Sequence, residues 1–193
     1  MSVPNLITLF RILLVPLTIW LIVTEQFLPA FFAFVVAGIS DGIDGFVAKR
    51  FNQVTELGAY LDPLADKLLL VSIYLALGID ALMPPLLVIT VVSRDVMIIG
   101  AVILSWLLDK PVEVQPLWIS KINTTVQIAF AGFVLAGLGM NLELESYVLP
   151  GGLLVGALTV ASGAAYMLQW TAHMANGKSH DHAHQPEKDE RGA

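Results

Sequence analysis

Six long apolar runs separated by short polar breaks organise this chain: Leu6 to Thr24, Leu28 to Ala48, Leu57 to Ile79, Pro84 to Leu108, Leu117 to Met140 and Tyr147 to Trp170. Each run is near the roughly 20 residues that an α-helix needs to cross a bilayer, so the pattern predicts six membrane-spanning helices. The breaks at Glu25-Gln26, Lys49 to Glu56, Asp80 to Pro85, Asp109 to Pro116 and Asn141 to Ser146 carry ordinary turn residues. The expected fold is an all-α integral membrane bundle formed by residues 1–172. A polar, His-rich tail over 173–193 is expected to stay disordered, without the supporting shell that a metal site on its histidines needs.

Composition agrees with a membrane protein and leaves no room for a soluble domain. Of 193 residues, 56% are hydrophobic and 13% charged, and mean hydropathy is +0.77. With no cysteine, disulfides and thiolate metal sites are excluded. The net charge of −6 conceals an uneven distribution. Lys49, Arg50 and Lys110 follow the second and fourth spans, Lys178, Lys188 and Arg191 lie in the tail, and the breaks after spans one, three and five hold no base. The positive-inside rule then places both termini and the junction of spans two and three in the cytoplasm. The first run is read as a retained span rather than a cleaved leader, with Asn5 as a helix cap. Arg11 either snorkels to lipid phosphate or contacts substrate.

Against that apolar background stand Asp41, Asp44, Asp62 and Asp66. A charge at the bilayer centre costs about 2.5–3.5 kcal/mol on insertion scales, so four acids here require a compensating partner. Asp41 and Asp44 are spaced i, i+3, and Asp62 and Asp66 i, i+4, so each pair shares a helix face. Acids at a helix end can simply be solvated, but two such pairs on either side of one junction favour a divalent-cation site. An oxygen-only donor set suits Mg2+ or Mn2+, and a pyrophosphate-bearing substrate is a natural co-ligand. Lys49 and Arg50 either hold the remaining phosphate charge or serve as interfacial anchors. Small residues at Ala48 and Gly58 continue the two acidic faces and permit close approach.

The run Asp41, Asp44, Gly45, Ala48, Gly58, Asp62 and Asp66 resembles the signature of the CDP-alcohol phosphatidyltransferase family at every spacing. One position departs, since Lys49 stands where the family has Arg, with Arg50 next to it. Lys lacks the bidentate grip of Arg, so either residue could take the pyrophosphate. The resemblance implies a six-helix homodimer using two Mg2+ or Mn2+ ions held by Asp41, Asp44, Asp62 and Asp66, with Asp66 as general base. It also implies CDP-diacylglycerol as donor, bound through Asn5, Thr8, Asp41, Gly45, Ala48, Lys49, Arg50 and Gly58.

The acceptor is less directly written. Pro4 to Arg11 is similar to two branches of the family, whereas Ser93 to Met97 and Ile119 to Gln127 look closer to the CMP-forming cardiolipin synthases. That resemblance implies phosphatidylglycerol as acceptor and cardiolipin and CMP as products; the expected location is a bacterial inner membrane. The alternative is a phosphatidylglycerophosphate synthase using glycerol 3-phosphate, a dianion that demands a cationic pocket. An amide at Asn123 suits hydroxyl recognition better than dianion capture. Candidate acceptor contacts are Lys67, Arg94, Lys121 and Asn123. Arg94 lies deep in span four with Asp95 expected on another face and no ready partner, so a polar cavity with acceptor phosphate is its expected surrounding. Lys121 either contacts substrate or anchors at the interface, and Asn123, Thr124 and Gln127 could equally join helices. A divalent-cation transporter is a remote alternative, opposed by acids gathered at one end beside Lys49 and Arg50. Membrane lipids are expected partners, and nucleic acid is not.

Overall fold

The computed structural model describes residues 3–50, 56–107 and 118–176, and the side chains of 7–40, 67–101, 103–105, 107 and 118–172. Six helices follow one another: α1 (Val3–Val23), α2 (Phe27–Arg50), α3 (Glu56–Ile79), α4 (Pro85–Leu107), α5 (Trp118–Gly139) and α6 (Glu145–Asn176). Each coincides with one of the apolar runs. The last is longer than hydropathy indicated, because α6 continues through His173 to Asn176 and so passes the expected domain boundary after residue 172. The remainder of the tail lies outside the described residues.

Apolar side chains cover the outside as well as the core, as expected where lipid is the solvent. Trp20, Ile79, Leu86, Ile103, Leu153 and Leu168 are all exposed, and Pro85–Ser105, Trp118–Gly139 and Glu145–Ala172 are each long and apolar enough to cross a membrane. Shorter apolar stretches, Ile7–Val23, Phe27–Ser40 and Lys67–Ile79, belong to α1, α2 and α3. The chain is a membrane protein. Inside, α1 packs on α2 and α3, α2 on α5, and α6 on α4 and α5, with smaller contacts from α3 to α4 and α5. Ile22, Ala37, Ile73, Leu77, Val91 and Leu135 form the centre of this packing, all fully buried.

The turns α1–α2, α3–α4 and α5–α6 share one design. Glu25, Ala81 and Asn141 adopt left-handed backbone, with φ of 58°, 55° and 54°. In each turn, the left-handed residue and the one after it donate to carbonyls in the preceding helical turn. Gln26 N–H reaches Leu21 O at 2.8 Å, Leu82 N–H reaches Leu77 O at 2.9 Å, and Leu142 N–H reaches Gly137 O at 2.8 Å. These are Schellman caps, which satisfy carbonyls that a helix end otherwise leaves open. They make three tight helical hairpins and put the end of α2 and the start of α3 at the opposite end of the bundle.

A glycine is required where α5 meets the start of α2. A Cβ on Gly139 would stand 2.7 Å from both Cα and N of Leu28. The neighbour is backbone, which cannot rotate away.

Candidate active site

Both signature segments lie on continuous helix. Asp41, Asp44, Gly45, Ala48, Lys49 and Arg50 occupy the last turns of α2, and Gly58, Asp62 and Asp66 the first turns of α3. At about 1.5 Å rise per residue, Asp41 lies roughly 14 Å from the end of α2 and Asp66 roughly 15 Å from the start of α3. Uninterrupted helix keeps the members of each pair on a common face. The side chains of these residues and of Asn5 lie outside the described residues.

From α1, Thr8 and Arg11 enter the same level, since Arg11 stands roughly 12 Å into the helix. Both are buried, Arg11 completely. A guanidinium with no solvent-accessible surface does not snorkel to headgroups; Arg11 belongs to the interior that α1 shares with α2 and α3.

One residue past Asp66, Lys67 opens a polar cluster that ties four helices. Lys67 Nζ donates to Asp95 Oδ1 at 2.6 Å, and Arg94 Nη1 donates to that same oxygen at 2.6 Å. Arg94 Nη2 donates to Ser162 Oγ of α6 at 2.9 Å and also to Ser120 Oγ of α5. Charge-assisted bonds of this kind are about twice as strong as neutral ones. The expected isolation of Arg94 from Asp95 is thus corrected. Their Cα–Cβ bonds diverge around the helix, but the long Arg94 side chain folds back and brings its guanidinium to the adjacent carboxylate.

Burial separates the two cations. The side chains of Arg94 and Asp95 are 4% and 5% exposed, against 33% for Lys67. Lys67 and Asp95 line a cavity of about 540 Å³ with Thr124 and Gln127, while Phe34, Ala37, Ile39, Leu69, Leu70 and Ile128 supply much of its apolar wall. Arg94 is absent from that lining; it stands behind Asp95 and braces it. A larger cavity of about 900 Å³ lies at the hairpin end, beside Glu143 and Glu145 and the Ala81 to Pro85 turn. With carboxylates and no cation on its wall, it is poorly suited to a phosphate.

The other two acceptor candidates sit elsewhere. Lys121 is exposed, with its ammonium 5.3 Å from the centre of the Trp118 ring, a cation–π arrangement that suits an interfacial anchor. Asn123 is fully buried between α5 and α6. Thr159 Oγ1 donates to Val155 O at 2.7 Å and to Asn123 Oδ1 at 3.0 Å, sharing its one hydrogen, and accepts from Gln127 Nε2 at 3.0 Å. Tyr74 OH adds a bond to the Gln127 carbonyl at 3.1 Å. This network joins α3, α5 and α6, the helix-joining alternative for that stretch. Sequence reasoning missed Asp95, Ser120, Ser162 and Thr159 as polar hubs, because, apart from the neighbouring Arg94 of Asp95, their side-chain partners come from helices remote in the chain.

Comparison with known proteins supplies the family. Residues 1–171 match the profile of the CDP-alcohol phosphatidyltransferase family. The chain is 32% identical over 188 residues to the chloroplastic CDP-diacylglycerol–glycerol-3-phosphate 3-phosphatidyltransferase 1 of rice (Oryza sativa subsp. japonica), covering 88% of this chain and 57% of that protein. It is 36% identical over 163 residues to cardiolipin synthase (CMP-forming) of Rattus norvegicus, covering 76% and 54%. It is 37% identical over 142 residues to the CDP-diacylglycerol–glycerol-3-phosphate 3-phosphatidyltransferase of Escherichia coli strain K12, covering 69% and 76%. The chain therefore spans little more than half the length of the rice and rat relatives. With the signature acids placed on α2 and α3 and a profile match running through all six helices, the chain belongs to the CDP-alcohol phosphatidyltransferase family.

Proposed function

We propose that this protein transfers the phosphatidyl group of CDP-diacylglycerol to a terminal hydroxyl of phosphatidylglycerol, giving cardiolipin and CMP. The observation that carries the choice of acceptor is the cavity beside Lys67, whose wall is mainly apolar and whose charged groups among the described residues are Lys67 and Asp95, with Arg94 behind. Those three charges sum to one positive charge. A lipid phosphodiester carries one negative charge and brings apolar chains with it, so it matches both properties. Glycerol 3-phosphate, a small dianion, matches neither.

The oxygen-only donor set of Asp41, Asp44, Asp62 and Asp66, paired on two continuous helices, fits hard divalent cations. In this reading the four carboxylates hold two Mg2+ or Mn2+ ions, which when bound supply charge stabilisation for both the attacking and leaving oxygens. Asp66 accepts the proton of the attacking hydroxyl. A new P–O bond forms from that oxygen to the phosphorus bearing diacylglycerol, the P–O bond to CMP breaks, and CMP departs with the electron pair. Lys49 and Arg50 steady the departing phosphate, and Lys67 holds the acceptor phosphodiester. Asn5, Thr8, Gly45, Ala48 and Gly58 complete the donor site. The orientation follows from the loop charges, with this end of the bundle facing the cytoplasm and a homodimer as the assembly.

A second reading, transfer to glycerol 3-phosphate, is favoured by the activities for which the rice and Escherichia coli relatives are named. Purified protein supplied with CDP-diacylglycerol and Mg2+, and offered each acceptor separately, distinguishes the two by mass spectrometry of the lipid product. Cardiolipin made from phosphatidylglycerol is the expected result. Product from glycerol 3-phosphate alone would refute the proposal.

A further inference from the structure

We infer that Asp95 is a specificity-determining residue, whose carboxylate cancels one of two neighbouring cations and so tunes the acceptor cavity to a monoanionic phosphodiester over a dianionic phosphomonoester. The inference rests on the acceptor reading above and names the residue responsible for it. Lys67 and Arg94 both donate to Asp95 Oδ1, at 2.6 Å each. Without that carboxylate, the two side chains would present two positive charges beside the cavity. With it they present one.

The supporting contacts keep this balance at one. Arg94 is tied to α5 and α6 through the hydroxyls of Ser120 and Ser162, which orient the guanidinium without adding charge. The Asp95 side chain is 5% exposed and lies on the cavity wall, so solvent screens it weakly from a ligand there. Lys67 is one-third exposed on the same wall and is the cation a phosphate oxygen can reach. Asp95 therefore acts through Lys67 and through the local field; it is a positioning residue rather than a catalytic one.

The consequence is a change in relative use of two acceptors. An added positive charge attracts a dianion twice as strongly as a monoanion at equal distance. With an effective dielectric near 20, replacing Asp95 by a neutral residue should raise the preference for glycerol 3-phosphate over phosphatidylglycerol by about tenfold or more. The change should lie in the KM for glycerol 3-phosphate, with kcat altered similarly for both acceptors.

The experiment measures kcat and KM for both acceptors in mixed micelles, with CDP-diacylglycerol and Mg2+ saturating. It compares wild type, Asp95→Asn, Asp95→Glu and the double variant Arg94→Gln/Asp95→Asn. Asp95→Asn should raise the glycerol 3-phosphate to phosphatidylglycerol ratio of kcat/KM, or bring the first activity into detection. Asp95→Glu, and the double variant that restores a single positive charge, should both retain the wild-type ratio. Thr124→Lys adds a charge to the same wall with Asp95 intact and should shift the ratio as Asp95→Asn does, which keeps the test decisive if Asp95→Asn fails to fold. An unmoved ratio in Asp95→Asn, or in Thr124→Lys when that variant stands alone, overturns the inference while leaving cardiolipin synthesis by the wild type intact. A wild type that uses only glycerol 3-phosphate overturns both.

Discussion

Lys67 and Arg94 share one carboxylate oxygen, yet their removal should have opposite consequences. Substituting Arg94→Met removes a buried cation that makes three bonds, to Asp95, Ser120 and Ser162. Breaking a buried ion pair costs about 3–5 kcal/mol when the surviving charge is left alone. Here Asp95 keeps Lys67, and the two serine hydroxyls can turn to backbone carbonyls. The expected loss is therefore about 2–4 kcal/mol. Substituting Lys67→Met removes a cation whose side chain is 33% exposed and leaves Asp95 bonded to Arg94. A pair that solvent screens this far contributes about 1 kcal/mol or less. Activity should rank the other way, with Lys67→Met losing at least about tenfold in kcat/KM for the acceptor, since a charge-assisted bond to phosphate contributes about 1.5–3 kcal/mol. Unfolding followed against SDS mole fraction in mixed micelles gives the stability order, and transfer assays below the unfolding transition give the activity order. Equal destabilisation by the two substitutions, or full stability in Arg94→Met, would refute the division of a bracing cation from a ligand-facing one.

Three further outcomes follow from the packing, each read by the same unfolding titration. Gly139→Ala should destabilise by about 2 kcal/mol or more because its Cβ meets the Leu28 backbone at 2.7 Å, whereas Gly100→Ala, with open space around its Cβ, should be neutral or stabilising by up to about 1 kcal/mol. Ala81→Gly should stabilise by about 1 kcal/mol, because Ala81 holds a left-handed φ of 55° that only glycine adopts without cost; a loss would show that the turn's strain lies elsewhere. Thr159→Val should cost about 1–3 kcal/mol by leaving Gln127 Nε2 and Asn123 Oδ1 without their buried partner, and an unchanged midpoint would show that water takes over the vacated bonds.

The helices were legible because the lipid-facing surface demands unbroken apolar runs, and six such runs are present. Their ends were less so: hydropathy falls at Trp170, but backbone bonding carries α6 on to Asn176. Signature acids could be placed by spacing because helix geometry converts i, i+3 and i, i+4 directly into shared faces. The Lys67–Asp95–Arg94 cluster could not. Lys67 and Asp95 are 28 residues apart and Arg94 and Ser162 are 68 apart, so only the packing of α3, α4 and α6 brings them together. For Arg94 and Asp95, neighbours in sequence, helical periodicity pointed the wrong way because it tracks Cβ directions and takes no account of a long side chain folding back. Asn123 was doubly suggestive, as a hydroxyl reader or as a helix joiner, and an amide has the same donors and acceptors for either task. Its burial against Thr159 decides its immediate partner.

The three Schellman turns also bear on how such a chain can be assembled in a bilayer. Each closes a helical hairpin, pairing α1 with α2, α3 with α4, and α5 with α6. On the proposed orientation, the tips are what must be carried across the lipid during biogenesis, and among their charged residues are Glu25, Asp80, Glu143 and Glu145, with no lysine or arginine between Thr24 and Phe27, Asp80 and Pro85, or Met140 and Ser146. A hairpin entering as a unit brings its less apolar helix in beside a partner, so the acid-bearing α3 enters shielded by α4. On that same orientation the cationic segments and the signature acids belong to the open ends and need not make the crossing. Under the proposed orientation, tight turns at one end thus let a chain carrying four aspartates be delivered to the membrane with those aspartates already on the side proposed for their substrates.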